Sequence, residues 1–346
     1  MKKMRKLLNT LYITNPNAYL SRDGDNIVIK VDDNEIGRRP IHILESIVCF
    51  TYNGISPSLM KLCSTYRVSV CFVNQYGSFS GRIQGKINGN VLLRRTQYRV
   101  ADDKEKSLEI SKVIILAKVI NSRKIVNRVF RDHKDKVDNI LLECIQVKLK
   151  ESIESISNVK DYDSLRGIEG DSARTYFQSF NELILKQKED FFFVGRNRRP
   201  PQDNVNALLS FAYTLIANEV ASALETVGLD PYVGFFHTDR PGRVSLALDM
   251  MEELRAYLGD RFVLSIINRK QLDCNGFIKK ENGGVLMTDD ARKAFLEAWQ
   301  KRKQEIIKHP FLKENIEIGL IPYAQAMLMA RFLRGDLEAY PPFFIP

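Results

Sequence analysis

Residues 108–120 read LEISKVIILAKVI, with Leu108, Ile110, Val113, Ile114, Leu116, Val119 and Ile120 recurring at the period of an amphipathic helix. Upstream of about Val91 that period is absent, and short β-rich runs with turn punctuation take its place. Strands are expected over Asn9 to Thr14, Asn26 to Val31, from Glu35 after an Asp-Asp-Asn turn, Ile47 to Tyr52, Val68 to Asn74 and 78–83. A short helix is expected over Ser56 to Thr65. Downstream, helices are expected at Val137 to Val147, from Asp163 toward Lys186, after an Asp203 N-cap through Leu224, and near 244–256, 288–305 and 323–334. The fold class is therefore α+β. A small N-terminal β domain (residues 1–95) precedes a larger all-α domain (residues 96–346).

The chain has 346 residues, with 52 Lys and Arg against 42 Asp and Glu, a net charge of +10. The excess is concentrated in residues 1–95, which hold 14 basic and 6 acidic side chains. That balance favours a polyanionic partner. Cys49, Cys63, Cys71, Cys144 and Cys274 form no CxxC pair, which argues against a zinc ribbon, a thioredoxin motif and a disulfide scaffold. The basic amino terminus lacks an apolar stretch of the signal-peptide kind, and no unbroken run of ~18 apolar residues occurs. A cytoplasmic protein is the expectation. Gly85-Lys86 is followed by Ile87, so the glycines at 77, 81, 85 and 89 make no Walker A loop and read as hairpin punctuation. HExxH and GxSxG are absent as well.

Chemistry concentrates in three segments. Of the four histidines, His42, His133 and His309 sit in unremarkable settings, whereas His237 lies in the Gly- and Pro-rich loop 228–243, GLDPYVGFFHTDRPGR. The helix that follows is apolar nearly all round. At ~100° per residue, Ser245, Asp249 and Glu252 form a polar stripe only ~60° wide. Carboxylates on so apolar a helix must be paired, protonated or bound to metal. Upstream, Glu169 sits between Gly167 and Gly170 in the helix expected from Asp163. Two helical glycines cost about 1 kcal/mol each, which close approach of another backbone or a ligand would offset. One imidazole and two or three carboxylates suit Mg²⁺ or Mn²⁺ better than zinc. With the basic balance, phosphodiester chemistry is the best reaction class. Removing a ligand should leave the fold intact, because metal-free carboxylates repel one another.

The segments Gly-Ile-Glu169-Gly, the loop ending at His237, and Ser-Leu-Ala-Leu-Asp249-Met-Met-Glu252-Glu resemble the signature of the CRISPR-associated adaptation integrase, the Cas-one endonuclease family. The stretches from Asn9, from Arg196 and from Tyr340 fit it too, and the likeness is greatest to type I-C members. The resemblance implies an N-terminal β-sandwich that dimerises and a helical catalytic domain. It implies a homodimer that docks on a small second CRISPR adaptation protein and inserts DNA fragments into a repeat array. Position by position, it implies that Glu169, His237 and Glu252 hold the metal and are catalytic. Asp249 would be an accessory acid, the split between 249 and 252 remaining open. Arg196, Arg198 and Arg199 are candidates for double-stranded DNA phosphate contacts. The expected reaction is attack of a DNA 3′-hydroxyl on a repeat phosphodiester. A structure-specific nuclease using water and a non-catalytic DNA-binding scaffold are the alternatives.

Overall fold

Among the described residues, seven strands lie in the N-terminal part: β1 (Thr10–Ile13), β2 (Tyr19–Asp23), β3 (Asn26–Val31), β4 (Asn34–Pro40), β5 (Ser46–Cys49), β6 (Ser69–Val73) and β7 (Phe79–Ile83), with helix α1 (Pro57–Tyr66) between β5 and β6. The computed structural model describes residues 9–44, 46–51, 53–66, 68–73, 79–83, 91–197 and 200–346. Strands β2, β3 and β4 form an antiparallel meander, whose β3–β4 turn places Asp32 and Asp33 at φ 48° and 63°. Aspartate tolerates that left-handed backbone, as a tight hairpin requires. The other sheet has the order β1-β5-β6-β7, parallel except for β7.

This second sheet is covered on both faces. Ile47, Cys49 and Val70 pack with Leu20 and Ile27 of the meander and with Leu59, Leu62 and Cys63 of α1. Val48, Cys71 and Val73, on the opposite face, join the core of the helical region. Burial on two faces explains why these strands read as continuous apolar runs rather than as an alternation. Arg82 of β7 also pairs with Glu225 in the helical region at 3.2 Å.

The helices are α2 (Val91–Asp102), α3 (Lys104–Asp132), α4 (Asn139–Ser157), α5 (Tyr162–Gln178), α6 (Phe180–Leu183), α7 (Asn204–Val227), α8 (Ser245–Leu254), α9 (Arg261–Asn268), α10 (Asp289–Lys303) and α11 (Ile321–Leu333). Asp103, Asp138, Asp161 and Asp203 each cap a helix by accepting from the backbone N–H three residues on. The expected helix toward Lys186 stops at Gln178, and a short α6 follows Ser179. By length and composition α7 could cross a membrane, a property that a search for an unbroken apolar run overlooks. Here Leu208, Leu209, Phe211, Ile216 and Leu224 of α7 are buried in the core. The all-helical expectation for the second part needs correction. Two antiparallel ribbons lie within it, β8 (Phe277–Lys279) with β9 (Val285–Met287) and β10 (Ile306–Lys308) with β11 (Asn315–Glu317). Three-residue strands are too short to display a period of two. The turns expected at Gly77, Gly85 and Gly89 lie outside the described residues.

Candidate active site

The site is built on α8, which packs against α3 and α7. As its apolar circumference requires, the helix is buried: Ser245, Asp249 and Glu253 are fully covered and Glu252 nearly so. Each carboxylate meets a different set of partners, and that sorts their roles.

Asp249 receives the loop that precedes its helix. Phe235 and Phe236 N–H donate to its Oδ2 at 2.6 and 3.0 Å, and His237 N–H donates to Oδ1 at 2.9 Å. The His237 Nδ1 lies 2.6 Å from the same Oδ1. Such an approach needs a glycine: a Cβ on Gly234 would lie 2.7 Å from Asp249 Oδ2 and 2.8 Å from the Ser245 carbonyl carbon. With Nδ1–H committed to a carboxylate, neutral His237 keeps its lone pair on Nε2, the tautomer that ligates metals. Asp249 itself has both oxygens occupied by donors.

Glu252 has a cation on each side. Arg255 Nη2 lies 2.7 Å from Oε1 and Lys118 Nζ 2.7 Å from Oε2. The Lys118 contact is an ion pair off the hydrogen-bonding direction, because the buried Oε2 receives no directed hydrogen bond. Burial pushes the Glu252 carboxyl up, but Arg255, then Lys118 and His237, outweigh it and hold it well below the usual carboxylate range. Lys118 also pairs with Glu169 Oε1 from α5. Glu169, Lys118, Glu252 and Arg255 thus form one chain of alternating charge. The expectation that the metal-free carboxylates simply repel one another is corrected by this chain.

Among the described residues, no three His, Cys, Asp or Glu side chains approach closely enough to hold an ion together. The donor set nonetheless fits a hard divalent cation. Glu169 is partly exposed, Glu252 Oε2 is buried without a directed partner, and His237 offers Nε2. Lys118 stands against both carboxylates. Sequence reasoning missed it together with Arg255, although its signal was present: a lone lysine in the buried stripe of α3, among Ile114, Ile115, Ala117 and Val119.

The remaining candidates fall elsewhere. Arg196 donates to Asn206 Oδ1 at 2.7 Å and Ser210 Oγ at 3.1 Å, which ties the loop before α7 to that helix. Its guanidinium lies 5.2 Å from the Tyr213 ring centroid, and that of Arg255 lies 4.8 Å from it. One π-helical turn, Arg255–Asp260, links α8 to α9 and aims Asp260 at the Tyr213 hydroxyl. Arg198 and Arg199 lie outside the described residues. Among the described residues outside their own helical turn, no atom comes within 4 Å of a Cβ added at Gly167 or Gly170, so approach of another described backbone does not account for them.

Glu253 faces away from the site and anchors the last residues. Tyr340 O–H and Gln325 Nε2 donate to its Oε1 at 2.6 and 2.9 Å, and Phe343 N–H donates to Oε2 at 3.0 Å. Asn121, one turn along α3 from Lys118, donates to the Phe343 carbonyl and accepts from Ile345 N–H. The segment from Tyr340 to Ile345 therefore straps the back of α8 and α3. Burial lifts the Glu253 carboxyl up to about 7, against the pull of Tyr340, Gln325 and Phe343. A folded pKa raised above the ordinary 4.5 contributes stability that is present below about pH 4.5 and lost as pH rises through about 7. Tyr340→Phe removes a donor that favours the ionised form. It should cost about 1–3 kcal/mol, and more at about pH 8 than at about pH 5. Urea denaturation at the two pH values checks this, and an equal loss at both would refute the assignment of the titration to Glu253.

Comparison with known proteins bears on this geometry. The profile of the family described as CRISPR associated protein Cas1 matches residues 11–301. The CRISPR-associated endonuclease Cas1 1 of Chlorobaculum tepidum is 47% identical over 340 residues, covering 98% of this chain and 99% of that protein. The CRISPR-associated endonuclease Cas1 2 of Rhodospirillum rubrum is 47% identical over 349 residues, covering 99% of each. A casposase bound to integration product shares the fold, with a TM-score of 0.82 at 22% identity over 95% of this chain and 92% of that one.

Proposed function

This chain belongs to the CRISPR-associated Cas1 family, and we propose from that premise that it joins DNA fragments to a repeat array through the site on α8. It is a nuclease and integrase of CRISPR adaptation. The finer reading is that a DNA 3′-hydroxyl attacks a repeat phosphodiester, with Glu169, His237 and Glu252 as ligands of Mg²⁺ or Mn²⁺ and Asp249 as a positioning residue. The observation that carries it is the division of labour between the two acids of α8. Asp249 is saturated by the His237 loop, while Glu252 turns its Oε2 toward the Lys118 ammonium, which also pairs with Glu169.

When bound, the divalent ion would lower the pKa of the attacking hydroxyl and stabilise charge at phosphorus. The residues of the chain prepare for that. Asp249 holds His237 in one tautomer and one orientation, so Nε2 presents its lone pair without reorganisation. Arg255 fixes Glu252 through Oε1 and turns Oε2 toward Lys118 and Glu169. Bound DNA would be positioned by Lys and Arg contacts to its phosphates, which carry no sequence information.

The proposal extends to assembly. The partners are double-stranded DNA, a second copy of the chain and the small second adaptation protein, and the compartment is the cytoplasm. Residues 1–95 would form the dimerising part and residues 96–346 the catalytic part. A place in a type I-C system is part of the proposal and rests on the sequence resemblance of the segments around Glu169, His237 and Glu252 alone.

The test uses the attacking group. A fragment ending in a 3′-phosphate or a dideoxynucleotide should bind as tightly as one ending in a 3′-hydroxyl, yet yield no branched product with Mn²⁺ and the partner supplied. Affinity for either should fall steeply with salt, as counterion release requires. Equal product from blocked and unblocked fragments would replace strand joining with hydrolysis by water.

A further inference from the structure

The chain carries a buried cation where the site needs a divalent one. Lys118 is 6% exposed, and its ammonium touches both Glu169 and Glu252, the two acids assigned above as ligands. An unpaired lysine at that depth would be driven to lose its proton, and unpaired carboxylates to take one up. Each therefore satisfies the other. Arg255 occupies the opposite oxygen of Glu252 and is committed to the Tyr213 ring, so it does not compete for the same place. We propose that Lys118 is a placeholder cation, which occupies the divalent-ion position between Glu169 and Glu252 in the metal-free protein and gives up both carboxylates when the ion arrives. This rests on the metal-site reading of Glu169, His237 and Glu252.

Charge counting shows what the device would achieve. Glu169, Glu252 and Asp249 contribute three negative charges, and Lys118 and Arg255 two positive ones. The metal-free site is therefore close to neutral, with Lys118 bridging its two acids and no strong pull on any passing ion. A divalent ion makes the site net positive once Lys118 is retained nearby, which favours the arrival of a phosphodiester. Two opposing effects follow from removing the lysine charge. The ion escapes repulsion from a like charge a few ångströms away, which tightens binding. The acids lose their organising partner, which weakens it. At such short range the repulsion is the larger effect, so the net change is tighter binding.

The experiment is calorimetric titration of Mn²⁺ into DNA-free wild-type protein and into Lys118→Met, with melting temperatures in EDTA and in Mn²⁺. The variant should bind Mn²⁺ on the order of tenfold more tightly. It should melt lower than wild type in EDTA and recover more of the difference on adding Mn²⁺. Lys118→Gln, which keeps a hydrogen-bond donor without the charge, serves if the methionine variant does not fold. In wild type the Lys118 ¹⁵Nζ resonance should shift on titration with Mg²⁺, and this requires no variant. Unchanged or weaker Mn²⁺ affinity in the variant, or an unmoved Lys118 resonance at saturating Mg²⁺, overturns the placeholder role alone. Failure of wild type and variant alike to bind Mn²⁺ overturns the metal-site reading with it.

Discussion

Asp249→Ala should unfold the His237 loop and destabilise the whole chain, by about 3–5 kcal/mol. Three backbone N–H groups, those of Phe235, Phe236 and His237, end on this one buried carboxylate, together with the His237 ring. Alanine leaves all of these donors without an acceptor where water does not reach. Each orphaned donor costs about 1–3 kcal/mol, and partial relaxation of the loop recovers some of it. Asp249→Asn should fall between, because its amide nitrogen confronts N–H donors on one side. Both variants should lose amide exchange protection at 235–237 before protection elsewhere in the helical core. DNA joining should fall at least 10- to 100-fold, the usual effect of losing a residue that orients a metal ligand. Native protection at those three amides in Asp249→Ala would refute the positioning role.

The polar stripe of α8 was legible in the sequence because a helix apolar on every other face announces any acid it carries. What the stripe could not tell was which acid serves the site. Asp249 and Glu252 differ only in what reaches them from elsewhere: a loop 12 to 14 residues upstream for one, and a lysine on α3 for the other. The strands β3 and β4 and their Asp-Asp turn were legible from local residue chemistry alone. The parallel pairing of β1 with β5 was not, since a pairing between segments 36 residues apart leaves no local trace. Lys118 and Arg255 escaped for the same reason. Arg255 looks like a solvated charge until its partner is placed beside it, whereas Lys118 stands in an apolar stripe that does not name its partners. The DNA-contact candidacy of Arg196 rested on a basic cluster, and the sequence did not show that its guanidinium also ties to Asn206 and Ser210 of α7.

Glu252→Gln separates stability from chemistry at this site. The substitution preserves shape and removes one charge. Lys118 and Arg255, both largely buried, then share one fewer anion, and Lys118 retains only Glu169. Breaking one side of a buried ion pair typically costs about 3–5 kcal/mol, because the remaining charge is left uncompensated. Activity should fall as well, on the order of 10³-fold or more, since a neutral amide replaces a carboxylate ligand at an electrostatically driven phosphoryl centre. A loss of activity alone would leave misfolding as its explanation. The double variant Lys118→Met with Glu252→Gln removes that ambiguity. The Lys118–Glu252 pair is then neutral, so stability in EDTA should recover part of the loss, while Arg255 and Glu169 still lack a partner. Joining should stay as low as in Glu252→Gln, because the ligand is still missing. Chemical denaturation and the branched-product assay, run on the four proteins of this cycle, read the two effects independently. Recovery of joining along with stability in the double variant would make Glu252 a structural counterion of Lys118 and remove it from the catalytic set.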